Sequence, residues 1–142
     1  MLRWTDSLGS SMRNEDLKYL FKDMSGWAEP IIADQIHGFY GNHLKNNGAQ
    51  TNQAIVQHRL FWRYLLAGQD KLALHARREL QNKARSQGIG MDILNEVDHL
   101  ILDELMNVTM LRFHRSPANV RNYGRTFIEI ASQLAQTRLA AA

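Results

Sequence analysis

Cysteine is missing from all 142 residues, which excludes disulfides, thiolate zinc sites, iron–sulfur clusters and a cysteine nucleophile. Proline is nearly as scarce, with two, and both fall between apolar-periodic stretches. No alternating β-branched run marks a strand, so the chain reads as all-α. No apolar run approaches the ~18 residues of a membrane span, and the opening MLRWTDSLGSS lacks the continuous apolar stretch of a secretory signal. The expectation is a cytoplasmic protein with no membrane partner. Gly-x-Ser-x-Gly and a glycine-rich phosphate loop are also missing, since the GIG at 88–90 follows a helix rather than a strand. The chain therefore reads as a non-enzyme.

What is present is a chain 44% apolar and 22% charged, enough for one domain with one core over residues 1–142. Asn14 is placed to cap a short helix through Met24, and Glu29–Pro30 to start another, because proline at the first helical position loses only an N–H that had no partner. LKNNGAQTNQ reads as a loop, with Thr51 or Asn52 capping a helix through Leu66. Asp70 caps the next, about Lys71 to Gln87, and Gly88 stands where a left-handed residue ends it. Asp92 caps a long helix through Phe113, and Ser116–Pro117 opens a last one to about Leu139. The count is about six helices.

In the long helix Ile93, Val97, Leu100, Ile101, Leu105, Val108 and Leu111 follow helical spacing, while Asp92, Glu96, His99 and Asp103 line the other side. The last helix carries a broader apolar face of Val120, Phe127, Ile128, Ile130, Ala131, Leu134 and Leu139. Packing against a second copy uses such a surplus, so a homodimer through the last two helices is expected. Net charge is only +3, but it is segregated. Residues 59–85 hold seven Lys/Arg against Asp70 and Glu79, 86–111 hold five acids and no Lys/Arg, and 112–142 hold five Arg against Glu129. Such blocks suit solvated faces or pairing between helices or protomers.

The order of these features resembles the sensor globins at the head of bacterial globin-coupled sensors. It covers roughly residues 14–139: an extra N-terminal helix, a helix carrying Phe39–Tyr40, Trp62-x-x-Leu65-Leu66-x-Gly68, Asp70, then Gly88–Ile89 before two long helices. The resemblance implies a globin-like bundle in which Tyr40 projects over a haem. The family's iron ligand is a histidine in the pattern His-x-x-x-Gly-Ile or Leu. Counting back from Gly88–Ile89 puts that position at Ala84, and alanine has no donor atom for iron. The stretch from Tyr40 to Trp62 is also shorter than the family's, implying a reduced C/D region at the haem edge. The chain thus resembles the haem-free members, some of which accommodate an acyl chain.

The expectation is a sensory or regulatory domain with no cofactor. An apolar or acyl ligand would sit in a cleft lined by Phe39, Tyr40, His58, Trp62, Leu80, Ala84, Ile89 and Val97, and an output domain or partner would follow Leu139. One alternative is a haem-binding gas sensor with His58 or Lys83 as an unorthodox ligand; another is a helical dimer with no ligand. His58 shares a face with Ile55, Trp62 and Leu65, which suits either a distal-side group or a histidine bonded to a neighbour. Glu96-x-x-His99 is a single copy of a motif that di-iron bundles carry twice, and it reads more simply as an exposed His99–Asp103 pair. Arg77, Arg78, Lys83 and Arg85 suit phosphates, but no recognition-helix pattern or interleaved aromatic accompanies them. Nucleic acid is not expected as a partner. Phe61, Trp62 and Tyr64 read as core.

Overall fold

The computed structural model describes residues 14–43 and 48–141. They form α1 (Asn14–His43), α2 (Gly48–Leu66), α3 (Asp70–Ser86), α4 (Met91–Phe113) and α5 (Pro117–Ala141). No strand occurs among the described residues, so the all-α expectation holds, with five helices in place of about six. The difference lies at Pro30, which is inside α1 rather than at the start of a second helix. An interior proline removes a backbone hydrogen bond and costs about 3 kcal/mol. Against that, Met24, Ala28, Ile32, Ile36 and Tyr40 are all buried and recur every four residues, so one stripe runs through the proline. Burial of Ile32, Ile36 and Tyr40 at about 1.5–3 kcal/mol each outweighs the lost bond, and Pro30 itself is exposed.

Other boundaries shift for local reasons. Helix α2 begins at Gly48, so Thr51 and Asn52 lie within it rather than capping it. The rest of the expected loop, 44–47, and the opening MLRWTDSLGSS lie outside the described residues. Gln69 and Gly90 occupy the cap positions expected for Asp70 and Asp92, with no side-chain cap bond. Both acids fall in first turns instead, where a carboxylate meets the positive end of the helix dipole. Asp92 leans back over Gly90, where a Cβ would collide with its carboxylate.

Two stops share one design. Gly68 and Gly88 both have φ near +72°, the left-handed conformation that glycine adopts without strain. After α2, Gln69 N–H donates to the Tyr64 carbonyl at 3.0 Å and Gly68 N–H to Leu65 at 3.2 Å. After α3, Ile89 N–H donates to the Ala84 carbonyl at 2.8 Å and Gly88 N–H to Arg85 at 3.1 Å. Each pair of crossed bonds is a Schellman stop. Pro117 opens α5 as expected.

Helix α2 packs along α3, α1 lies against α2 and α4, and α5 rests on α4 and α3 and touches α1 and α2. Phe61, Trp62, Leu80, Leu94, Ile101, Leu105, Phe127, Ile130 and Leu134 join the α1 stripe in one core. Phe61 and Trp62 are therefore core as expected, while Tyr64 is partly buried against it. Leu100, Leu111, Ile128 and Leu139 face solvent instead. No helix among the described residues is long and apolar enough to cross a membrane.

Continuity of α1 is testable through Pro30→Ala. Within one helix the change restores a hydrogen bond and good propensity, so chemical denaturation is expected to show a gain of roughly 1–3 kcal/mol. A neutral or destabilising result would place Pro30 at a helix start.

Candidate functional site

Helix α4 carries Leu94, Val97, Ile101 and Leu105 on its buried face, and Asp98 lies within that stripe, fully buried. A carboxylate withdrawn from water costs several kcal/mol unless its lone pairs find donors. Asp98 has four. His58 Nε2 donates to Oδ1 at 2.8 Å and Trp62 Nε1 donates to the same oxygen at 2.9 Å. Arg77 Nη1 donates to Oδ2 at 2.8 Å, and Arg138 Nη2 at 3.2 Å. These partners come from α2, α3 and α5. Helix α1 joins through Tyr40, whose Oη is 2.8 Å from His58 Nδ1, so all five helices meet at one charge.

The partners are set by helical spacing. His58 and Trp62 are four residues apart on α2, one turn above the other, and both are fully buried. Arg77 lies in the α3 stripe of Ala73, Ala76, Leu80 and Ala84. It also donates to Asn95 Oδ1 at 3.0 Å and lies over the Phe61 ring, 5.1 Å from its centroid, which suits a weakly hydrated guanidinium. Arg138 is one-quarter exposed and reaches inward from near the end of α5.

Burial alone would push the Asp98 carboxyl upward. The charge and hydrogen bond of His58, the charge of Arg77 and the Trp62 N–H outweigh it and hold Asp98 well below the usual carboxylate range. Tyr40 moves the other way. Burial raises its phenol far above the ordinary value and the negative Asp98 adds to the rise, with Arg77 opposing. Tyr40 therefore keeps its proton, and Asp98 stays ionised and can only accept. His58 Nε2 must then donate whatever the charge on the ring, and in the neutral ring Nδ1 accepts from the Tyr40 hydroxyl. Tyr40, His58 and Asp98 form a Tyr–His–Asp relay, but each is 0% exposed. In this arrangement the relay joins side chains from α1, α2 and α4.

The eight residues expected to line a cleft all come to the interior. Phe39, Tyr40, Trp62, Leu80, Ala84, Ile89 and Val97 belong to the core cluster, and His58 is buried beside them. Of the two roles open to His58, the structure gives it bonded neighbours. These residues do not fit a haem as arranged. An axial ligand needs an unoccupied lone pair, both His58 nitrogens are engaged, Ala84 offers a methyl group, and Lys83 stands beside it at the half-buried edge of α3. Among the described residues no three His, Asp or Glu side chains gather as metal ligands. Glu96, His99 and Asp103 lie exposed along α4.

Asp98 and the burial of Arg77 escaped the sequence reading. Both had a signal: Asp98 is four residues after Leu94 and three before Ile101, and Arg77 is four after Ala73 and three before Leu80, which are core positions. No protein-family model matches this chain, and comparison with characterised proteins and with solved structures gives no match.

Asp98→Asn keeps the shape but removes the charge facing two guanidinium groups, and is expected to cost roughly 3–5 kcal/mol. It should also change the acid limb. A depressed folded pKa contributes stability that is complete above the unfolded value, about 3.9, and is lost as pH falls through the folded one. Urea titrations from pH 7 to 2 should therefore show stability falling below about pH 4 in the native chain, and a shallower fall in the variant. Parallel curves would remove Asp98 from the ionic account.

Proposed function

We propose that this chain is a haem-free regulatory domain of the sensor-globin type, acting through helix packing and self-association rather than through a reacting centre. One observation carries the reading. Tyr40, which the resemblance puts over a haem, and His58, which its helix face makes a distal-side candidate, are spent on each other and on Asp98. The donorless Ala84 and the fully buried Leu80 and Val97 support it.

Relay of a signal needs an element whose packing can shift between states. Helix α5 suits this role because Arg138 ties it to Asp98 and Arg78 donates to the Ala140 carbonyl at 3.2 Å. A change around the carboxylate would thus be felt at the end of α5, where a partner could read it. Self-association is supported by apolar surface on the same helix: Gly124, Ile128, Ala131, Ala135 and Leu139 are exposed at i, i+4, i+7, i+11 and i+15, with Leu139 79% exposed. On α4, Met106, Met110 and Leu111 add to it. Surfaces of this kind mark interaction sites. They also favour a second reading, a dimerisation module that responds to no ligand.

One experiment tests both parts. The chain is incubated with haemin and passed through gel filtration with light scattering and absorbance detection. The expected protein peak has twice the chain mass and no Soret band. A co-eluting Soret band would overturn the haem-free reading, and a single-chain mass at micromolar concentration would overturn the self-association.

A further inference from the structure

A pocket of about 250 Å³ opens between α1 and α2, lined by Glu29, Ile32, Arg59, Arg63 and Leu66. It is separate from the Asp98 cluster and from the interior expected to take a ligand. The three α2 residues are spaced i, i+4 and i+7, and the two from α1 are spaced i, i+3, so each helix gives one face to it. The walls differ in character. Ile32 and Leu66 are 4% and 2% exposed and form an apolar floor, while two guanidinium groups and one carboxylate stand around it.

The charges do not cancel. Arg63 Nη2 donates to Glu29 Oε1 at 2.5 Å in a pair whose members are both about half exposed. Arg59, which is half-buried, has no ion-pair or hydrogen-bond partner among the described residues. One guanidinium is left over beside an apolar floor.

We propose that this pocket binds a small organic monocarboxylate with an apolar body. A guanidinium fork holds a carboxylate through two parallel N–H donors, and the body covers Ile32 and Leu66. One unmatched positive charge suits one negative charge. A phosphate ester would bring a second charge toward the Glu29 carboxylate, and an inorganic anion would leave the floor uncovered. The volume sets the size: at about 30 Å³ per water it equals roughly eight waters, hence a ligand on the order of ten non-hydrogen atoms. It is smaller than the ~300–1,000 Å³ of sites for drug-sized molecules. The pocket gives the regulatory reading a place for its ligand and rests on that reading for its consequence, though not for binding itself.

The test uses the full chain, labelled with ¹⁵N, titrated with 3-phenylpropionate and separately with 3-phenylpropanol, which has the same body without the charge. The acid is expected to give saturable amide shifts centred on residues 29–32 and 59–66 and to bind at least about tenfold more tightly than the alcohol. Arg59→Gln should reduce the acid to the alcohol's affinity while the remaining spectrum is unchanged, and Arg59→Lys should restore part of the difference. Absence of saturable shifts, equal affinity for acid and alcohol, or shifts centred on Ala84 and Val97 would overturn the proposal. A chain that takes up haemin and still binds the acid here would keep the site and lose the haem-free reading.

Discussion

A carboxylate at the centre of a small helical protein is tolerated only if each of its lone pairs is met by a donor held in place. Asp98 meets that condition with four donors from three other helices, and through His58 it engages the remaining one. A shift of about 1 Å in any of these helices takes an N–H beyond hydrogen-bonding distance and exposes part of the desolvation cost. Replacing the whole cluster, Asp98 together with its buried partners, by well-packed apolar side chains would give comparable stability without that demand. On this account the ion contributes a single allowed arrangement of five helices rather than extra stability.

Much of the helical frame was legible in the sequence because its signals are local. Gly68 and Gly88 stop helices by their left-handed backbone, and Pro117 begins one where its missing N–H is harmless. Where the sequence reading went astray, longer-range packing overrode a local rule. Pro30 looked like a helix start until the stripe from Met24 to Tyr40 ran through it. Tyr40, His58 and Trp62 were singled out, but for a cleft facing a ligand. The bonds that join them depend on Asp98, whose partners are 21 to 40 residues away in sequence. Spacing along α4 holds the signal of a charge on an apolar face, which the sequence reading missed, but not of which donors would reach it.

The same geometry bears on the globin resemblance. The Gly88–Ile89 pair from which the iron-ligand position was counted is a helix stop that satisfies the carbonyls of Ala84 and Arg85. A helical hairpin has its own reason for such a pair, with or without a porphyrin. His58 in that interior is held by the Tyr40 hydroxyl and ring and by the Asp98 carboxylate. The α1–α2 pocket, by contrast, combines an apolar floor with an unmatched guanidinium at the surface. On the proposed reading, recognition sits at the edge of α1 and α2, while the relay runs through Asp98 to α5.

Native-state hydrogen exchange on Asp98→Asn, compared with the native chain, tests the central claim most directly. If one carboxylate fixes five helices together, amide protection should fall by a similar factor in the interior turns of α1 through α5. Protection lost only near residue 98 in α4, with the other four helices unchanged, would contradict it.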